Sequence, residues 1–225
     1  MNVCICDDNK RFLDRLRAKI EPYSDNIYTY TTVDDLIKDG ITFDLAFLDI
    51  ELNDETDGFS AAKHVFNMNN ECLIAFFTSH NEFAIKGYDF RAFKYILKQD
   101  EEKVIDKKIE DMFDEYNKRN KHIQGSYNGE IFKIAVKDIL YIESYKRLVL
   151  FYTMHEKYEM YGTFRDIVSE LSDYGFVQSH RSYLVNLKYI SSLSKTNVIL
   201  SNETVLPVGK KFYTELASLY IDRLI

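Results

Sequence analysis

The sequence is poor in residues that break or cross-link a fold. Only two of its 225 residues are proline, against 46% hydrophobic residues, which excludes an extended disordered chain and points to globular structure. No apolar run approaches the ~20 residues that a membrane-spanning helix needs, and no N-terminal signal pattern is present. A cytoplasmic protein without membrane insertion is therefore expected. The three cysteines, Cys4, Cys6 and Cys72, each lie inside an apolar stretch. They read as buried reduced thiols rather than a disulfide framework. Cys4 and Cys6 would share one strand face, but no third or fourth ligand is near them. The five histidines have no metal-ligand spacing either.

Charge is present but unevenly spread. Residues 1 to 117 carry 25 Asp/Glu and 14 Lys/Arg, whereas residues 118 to 225 carry 11 and 15. An acidic half joined to a mildly basic half suggests a regulatory module fused to one that meets polyanions.

The acidic half is organised around FDLAFLDIEL, residues 43 to 52. Its apolar run ends on Asp49, as expected of a strand buried on both faces of a parallel sheet. Three other short apolar runs end on polar groups: VCIC on Asp7-Asp8, LIAFF on Thr78-Ser79, and FKYIL on Lys98. Segments of helical period separate them, so right-handed crossovers would align their carboxyl ends, where ligands bind in open α/β sheets. Three carboxylates crowded together favour a hard dication such as Mg²⁺. With Mg²⁺, Lys98 and the Thr78 hydroxyl to neutralise phosphoryl oxygens, Asp49 reads as a phospho-accepting aspartate. A strand-terminal carboxylate alone more often caps a helix, as Asp7 would for the helix beginning near Lys10. The joint occurrence at successive strand ends reverses that weighting.

These residues and spacings resemble the receiver domain of two-component response regulators. By that resemblance Asp49 is the phosphoacceptor for a sensor histidine kinase, and Asp7, Asp8, Asp49 and the main-chain carbonyl of Glu51 hold Mg²⁺. Thr78 and Lys98 meet the phosphoryl group, and Tyr95 is the aromatic switch. Two departures are visible: Gln99 replaces the usual proline after the lysine, and the acidic insertion Asn53-Asp54-Glu55-Thr56 lengthens a loop beside the site. The periodicity implies five β/α repeats, with helices near residues 12 to 20, 33 to 37, 58 to 68, 82 to 88 and 105 to 116. The expected fold is a doubly wound five-stranded parallel sheet in flavodoxin-like order 2-1-3-4-5 over residues 1 to 117.

Residues 118 to 129 (KRNKHIQGSYNG) are polar and read as a linker. From 130 to 225 the pattern changes to short strands rich in β-branched and aromatic residues, interrupted by turns. Thr163 with Asp166 resembles a capping box that opens a short helix, and a final helix is expected to bury Phe212, Leu216 and Leu219. The stretches ILYIES, YGTF, FVQSHRSYLVNLKYI and LPVGKKF, in this order, resemble the LytTR DNA-binding domain. The resemblance implies a mainly β fold that places loops in successive major grooves of promoter DNA. Carried over by position, the DNA-contacting residues are Lys146, Arg147, His180, Arg181, Lys210 and Lys211. Gly209 departs from the polar or basic residue often found at its place.

The whole chain therefore reads as a response regulator transcription factor. It would dimerise on phosphorylation through the face around residues 82 to 93 and bind paired half-sites, with no turnover chemistry. A haloacid-dehalogenase-like phosphatase fits less well, because its nucleophile follows the first strand with a second acid two residues later. A regulator independent of phosphorylation would tolerate loss of the Asp49 carboxylate.

Overall fold

The computed structural model describes residues 1–52, 58–79 and 92–223. The chain divides into two compact units, Met1–Asn117 and Lys118–Ile225. In the first, β1 (Asn2–Cys6), β2 (Asn26–Tyr30), β3 (Leu45–Asp49), β4 (Leu73–Thr78) and β5 (Lys94–Leu97) form one sheet in the order β2-β1-β3-β4-β5. All four strand pairs are parallel.

Strand alternation divides the apolar side chains between two faces. Cys4, Cys6, Ala46, Leu48, Ile74 and Phe76 pack against α2 (Val33–Asp39) and α3 (Gly58–Met68). Val3, Ile5, Leu45, Phe47, Ala75 and Phe77 face α1 (Lys10–Ile20) and α4 (Glu102–Arg119). Burial on both faces explains why β3 and β4 are unbroken apolar runs. The helix expected at 82 to 88 and the acidic insertion lie outside the described residues.

α1 begins on Asn9, whose side chain accepts the N–H groups of Arg11 and Phe12. Asp7 is not that cap. Its Oδ1 accepts the Asn9 N–H at 2.8 Å instead, which keeps the carboxylate at the sheet edge.

In the second unit a five-stranded antiparallel sheet has the order β10-β9-β8-β12-β11. Its strands are β8 (Tyr141–Tyr145), β9 (Leu148–Tyr152), β10 (Lys157–Tyr161), β11 (Phe176–His180) and β12 (Tyr183–Asn186). A hairpin of β6 (His122–Tyr127) and β7 (Glu130–Ala135), a small sheet of β13 (Ile190–Leu193), β14 (Asn197–Leu200) and β15 (Val205–Pro207), and helices α5 (Phe164–Leu171) and α6 (Tyr213–Asp222) complete it.

Three expectations need correction here. Residues 118 to 129 are not an open linker: α4 runs to Arg119, and β6 then pairs with β7 through the turn Asn128-Gly129. Both turn residues have positive φ, 50° and 87°, as a two-residue hairpin turn demands. The polar composition belongs to the exposed side of β6, while Ile123 is buried beneath it. At Gly125 a Cβ would lie 2.5 Å from Cζ of Phe132, so the missing side chain makes room for that ring. In α6 Leu216 is buried but Leu219 is 41% exposed, because Tyr213 and Tyr220 supply the helix's other inward contacts. At α5 the Thr163 hydroxyl donates to the Asp166 carboxylate rather than capping the helix N–H groups.

Candidate functional site

Strand register brings the first set of residues together. Cys6 is level with Leu48, Asp49 with Phe77, and Thr78 with Leu97. Asp7, Asp49, Thr78 and Lys98 thus stand at or one step beyond the same sheet edge. Asp7, Asp49 and Thr78 are 1%, 4% and 0% exposed, whereas Asp8 is open to solvent. One carboxylate oxygen from each of Asp7, Asp8 and Asp49 falls within 4.8 Å of the others. Lys98 Nζ lies 2.6 Å from Asp7 Oδ2 and donates to Asp49 Oδ2 at 2.7 Å. The Asp7 contact is an ion pair, and among the described residues no donor meets that buried oxygen with hydrogen-bond geometry. The Glu51 N–H donates to Asp49 Oδ1 at 3.3 Å.

Burial pushes the Asp7 and Asp49 carboxyls above their ordinary range, and Lys98 only partly offsets this. Burial also works against the Lys98 charge, but its hydrogen bond to Asp49 and its ion pair with Asp7 outweigh that and hold the ammonium above its usual value. Tyr95 is pushed up to about 12 by burial, opposed by a hydrogen bond with Thr78. Thr78 and Tyr95 are therefore already joined. The peptide between Lys98 and Gln99 is trans, and Gln99 Nε2 donates to the Ser79 carbonyl at 3.2 Å.

Two residues of this pocket were not singled out by the sequence. Phe12 places its ring 4.7 Å from Lys98 Nζ and packs edge-on to Phe77 at 5.4 Å. It stands on α1, five residues after Asp7, where helical spacing alone does not tell a ring that meets the core from one that meets an ammonium. Gly58 backs Asp49. Its N–H donates to the Ile50 carbonyl at 2.9 Å, and a Cβ there would sit 1.8 Å from the Asp49 carbonyl oxygen.

The second set lies in the other unit, along one end of its five-stranded sheet. The β8–β9 turn carries Lys146 and Arg147, both exposed, and Tyr145 pairs with Leu148 across it. Beside it runs the β11–β12 turn with exposed Arg181, tied by the Ser144 N–H to the Ser182 carbonyl at 2.9 Å. His180 precedes that turn, half-buried, and its Nδ1 accepts the Ser182 N–H at 3.3 Å. Nδ1 as acceptor puts the ring proton on Nε2. Gly209 follows, donating its N–H to the Ser179 carbonyl at 2.8 Å, and presents exposed Lys210 and Lys211. All six basic candidates therefore share one edge.

Behind this edge Glu143 accepts the hydroxyls of Tyr152 and Tyr183 at 2.9 and 3.1 Å. That carboxylate links β8, β9 and β12 just below the basic turns. Lys146 has φ 56°, a left-handed conformation that costs a non-glycine residue ~1–2 kcal/mol.

A family model described as the response regulator receiver domain matches residues 3–110, and one described as the LytTr DNA-binding domain matches residues 129–220. The chain is a response regulator. This response regulator is 29% identical over 195 residues to the sensory transduction protein LytT of Bacillus subtilis (strain 168), covering 78% of this chain and 79% of that one. It is 27% identical over 208 residues to the transcriptional regulatory protein NatR of the same organism, with 86% and 85% covered. It is also similar to the transcriptional regulatory protein LytR of Staphylococcus aureus (strain N315), at 24% over 190 residues, with 76% and 77% covered. A receiver joined to a LytTR domain makes it a transcription factor rather than a turnover enzyme. No helix among the described residues is long and apolar enough to cross a membrane.

Proposed function

We propose that Asp49 accepts a phosphoryl group from a sensor histidine kinase and that this switches the binding of promoter DNA by the basic edge. The observation that carries the first half is the position of Asp49: buried at a strand end, paired with Lys98, and within 4.8 Å of two further carboxylates. An Asp49 oxygen attacks phosphorus, and the phosphorus–nitrogen bond to the kinase imidazole breaks, leaving that histidine with the bond's electron pair. Lys98 then exchanges part of its contact with Asp49 for a phosphoryl oxygen. The donor set fits Mg²⁺, with three oxygen ligands and one buried carboxylate oxygen that no hydrogen bond satisfies. Asp7, Asp8, Asp49 and the Glu51 carbonyl would hold the ion, which supplies charge neutralisation to the phosphoryl oxygens when bound.

The Thr78 hydroxyl turns toward the new oxygens, and Tyr95, hydrogen-bonded to it, follows. The face around residues 82 to 93 that this would remodel lies mostly outside the described residues. Dimerisation through it brings two DNA-binding units to paired half-sites, and affinity rises through effective concentration.

On DNA, Arg147 and Arg181 are the residues able to read guanine O6 and N7 bidentately from the major groove. Lys146, Lys210 and Lys211 meet phosphates, and His180 offers Nε2–H. The test is selection from a random duplex pool with and without Mg²⁺ and beryllofluoride, which completes a phosphoryl-like group on Asp49. A tandem motif bound several-fold tighter with the mimic is expected. Enrichment of no sequence in either state overturns the DNA-binding half, and equal binding in both states overturns the switch.

A further inference from the structure

The basic edge does not end at the β8–β9 turn. Tyr161, the last residue of β10, is level with Leu148 and therefore stands at the same end of the sheet as Lys146 and Arg147. It is 65% exposed. Its ring lies 5.4 Å from that of Tyr127, the last residue of β6, so the β6–β7 hairpin tip comes to this end as well. Tyr145, 49% exposed, joins the two regions, with the Lys146 ammonium 5.1 Å from its ring centre.

Exposed Tyr161, in ring contact with half-buried Tyr127 and next to the row of basic residues, is unlike the tyrosines further into this sheet. Tyr141, Tyr152 and Tyr183 are half-buried, and the last two spend their hydroxyls on Glu143. We propose that Tyr161 and Tyr127 form a second DNA-contacting surface, which holds the sugar–phosphate backbone beyond the basic turns. The inference rests on the DNA-binding reading and extends it to residues that reading does not use. A tyrosine ring offers an apolar face to deoxyribose, and its hydroxyl donates to a phosphate oxygen, so the contact is tolerant of sequence. Glu130 is level with Tyr127 on the hairpin and puts a carboxylate nearby. Ring and hydroxyl, not charge, must therefore make the contact.

The geometry sets its reach. β10 lies one strand beyond β9, about 5 Å, and Tyr127 is a further ring contact away. At a rise of about 3.4 Å per base pair, the protected DNA should extend about 3 base pairs past the position touched by Arg147.

Hydroxyl-radical footprinting and titration with the full-length chain on its selected duplex test this. Tyr161→Ala is expected to shorten protection by about 3 base pairs on one flank of each half-site and to weaken binding about fivefold. Base preference and the slope of affinity against salt should stay unchanged, since no cation is removed. Tyr161→Phe keeps the ring against Tyr127 and should retain the extended footprint. Should Tyr161→Ala lower only the thermal midpoint, with footprint and affinity as in the wild type, the pair merely packs the hairpin onto the sheet and the proposal is overturned. Failure of the wild-type chain to bind any duplex overturns the DNA-binding reading itself, which is a distinct result.

Discussion

The pocket around Asp49 and the edge around Arg181 use charge in opposite ways. In the pocket, the charges of Asp7 and Asp49 are buried and both are answered by Lys98, while the Thr78 hydroxyl meets Tyr95. At the edge, Lys146, Arg147, Arg181, Lys210 and Lys211 are all exposed, and order resides in the backbone hydrogen bonds that align the turns. A buried charge without a partner costs several kcal/mol, so the pocket must be complete before its ligand arrives. A charge meant for a phosphate must stay solvated until the phosphate comes. The pocket is therefore fragile to small changes and the edge is tolerant of them.

The largest effects should break the pocket alone. Asp49→Asn removes the proposed nucleophile while keeping the shape, and uptake of phosphoryl from a kinase or a small phosphodonor should be lost completely. Phosphate-affinity gel mobility reads this directly. Basal DNA affinity should be unchanged; a parallel loss of it would mean that the two regions are not separable. Gly58→Ala drives a methyl group into the Asp49 carbonyl, with neither flexible side chain nor solvent to yield. A destabilisation of about 3 kcal/mol is expected from overpacking against backbone. A denaturant titration should show it, with phosphoryl uptake falling in step.

At the edge, Arg181→Ala should leave stability within about 0.5 kcal/mol, because the side chain is exposed. It should lower affinity by ~1–3 kcal/mol and relax base preference at one position of each half-site. Uniform weakening across all sequences, measured on a panel of single-base variants, would make it a phosphate contact instead.

The pocket also has a pH signature. Asp7 and Asp49 titrate above their ordinary value of 3.8 in the folded state. A raised carboxyl stabilises the fold while protonated, and that contribution is lost as pH rises through the raised value. Mg²⁺ binds only the ionised form, so its stabilisation must grow over the same interval. Thermal melts from about pH 4 to about pH 8, with and without Mg²⁺, should show a metal-induced rise that is smallest at the acid end. A rise independent of pH would place the ion elsewhere.

The same contrast explains what could be read from the sequence. Asp7, Asp49, Thr78 and Lys98 were legible because an apolar run fixes where a buried strand ends, and parallel register does the rest. Phe12 was not, since an aromatic on the inner stripe of a helix has the same periodicity whether it touches a core or an ammonium. Nor was the demand on Gly58, which comes from a backbone carbonyl that no side chain announces. The stretch before the second unit failed for the opposite reason. Polar residues dominate His122–Tyr127, yet one buried Ile123 and a glycine shaped to Phe132 are enough to make it a strand. Along the edge, composition identified the cations only through motif resemblance. Their alignment depends on hydrogen bonds between turns, such as Ser144 to Ser182, that leave no trace in residue type.

The smallest effect expected is the most discriminating. Lys146 holds a left-handed backbone, φ 56°, in a two-residue hairpin turn where glycine or asparagine would be easier. Stability alone would favour replacement, so the side chain must be kept for something else. Lys146→Gly should stabilise the second unit by about 1 kcal/mol, since strain is relieved and no native contact of a buried group is lost. It should also weaken DNA binding and lower the slope of log affinity against log salt by about 1, the signature of one phosphate contact removed. Opposite signs in the two measurements would identify a residue held in strain for its ligand. Gains in both, or no change in the salt slope, would reduce Lys146 to an ordinary turn residue and move the phosphate contact to Arg147.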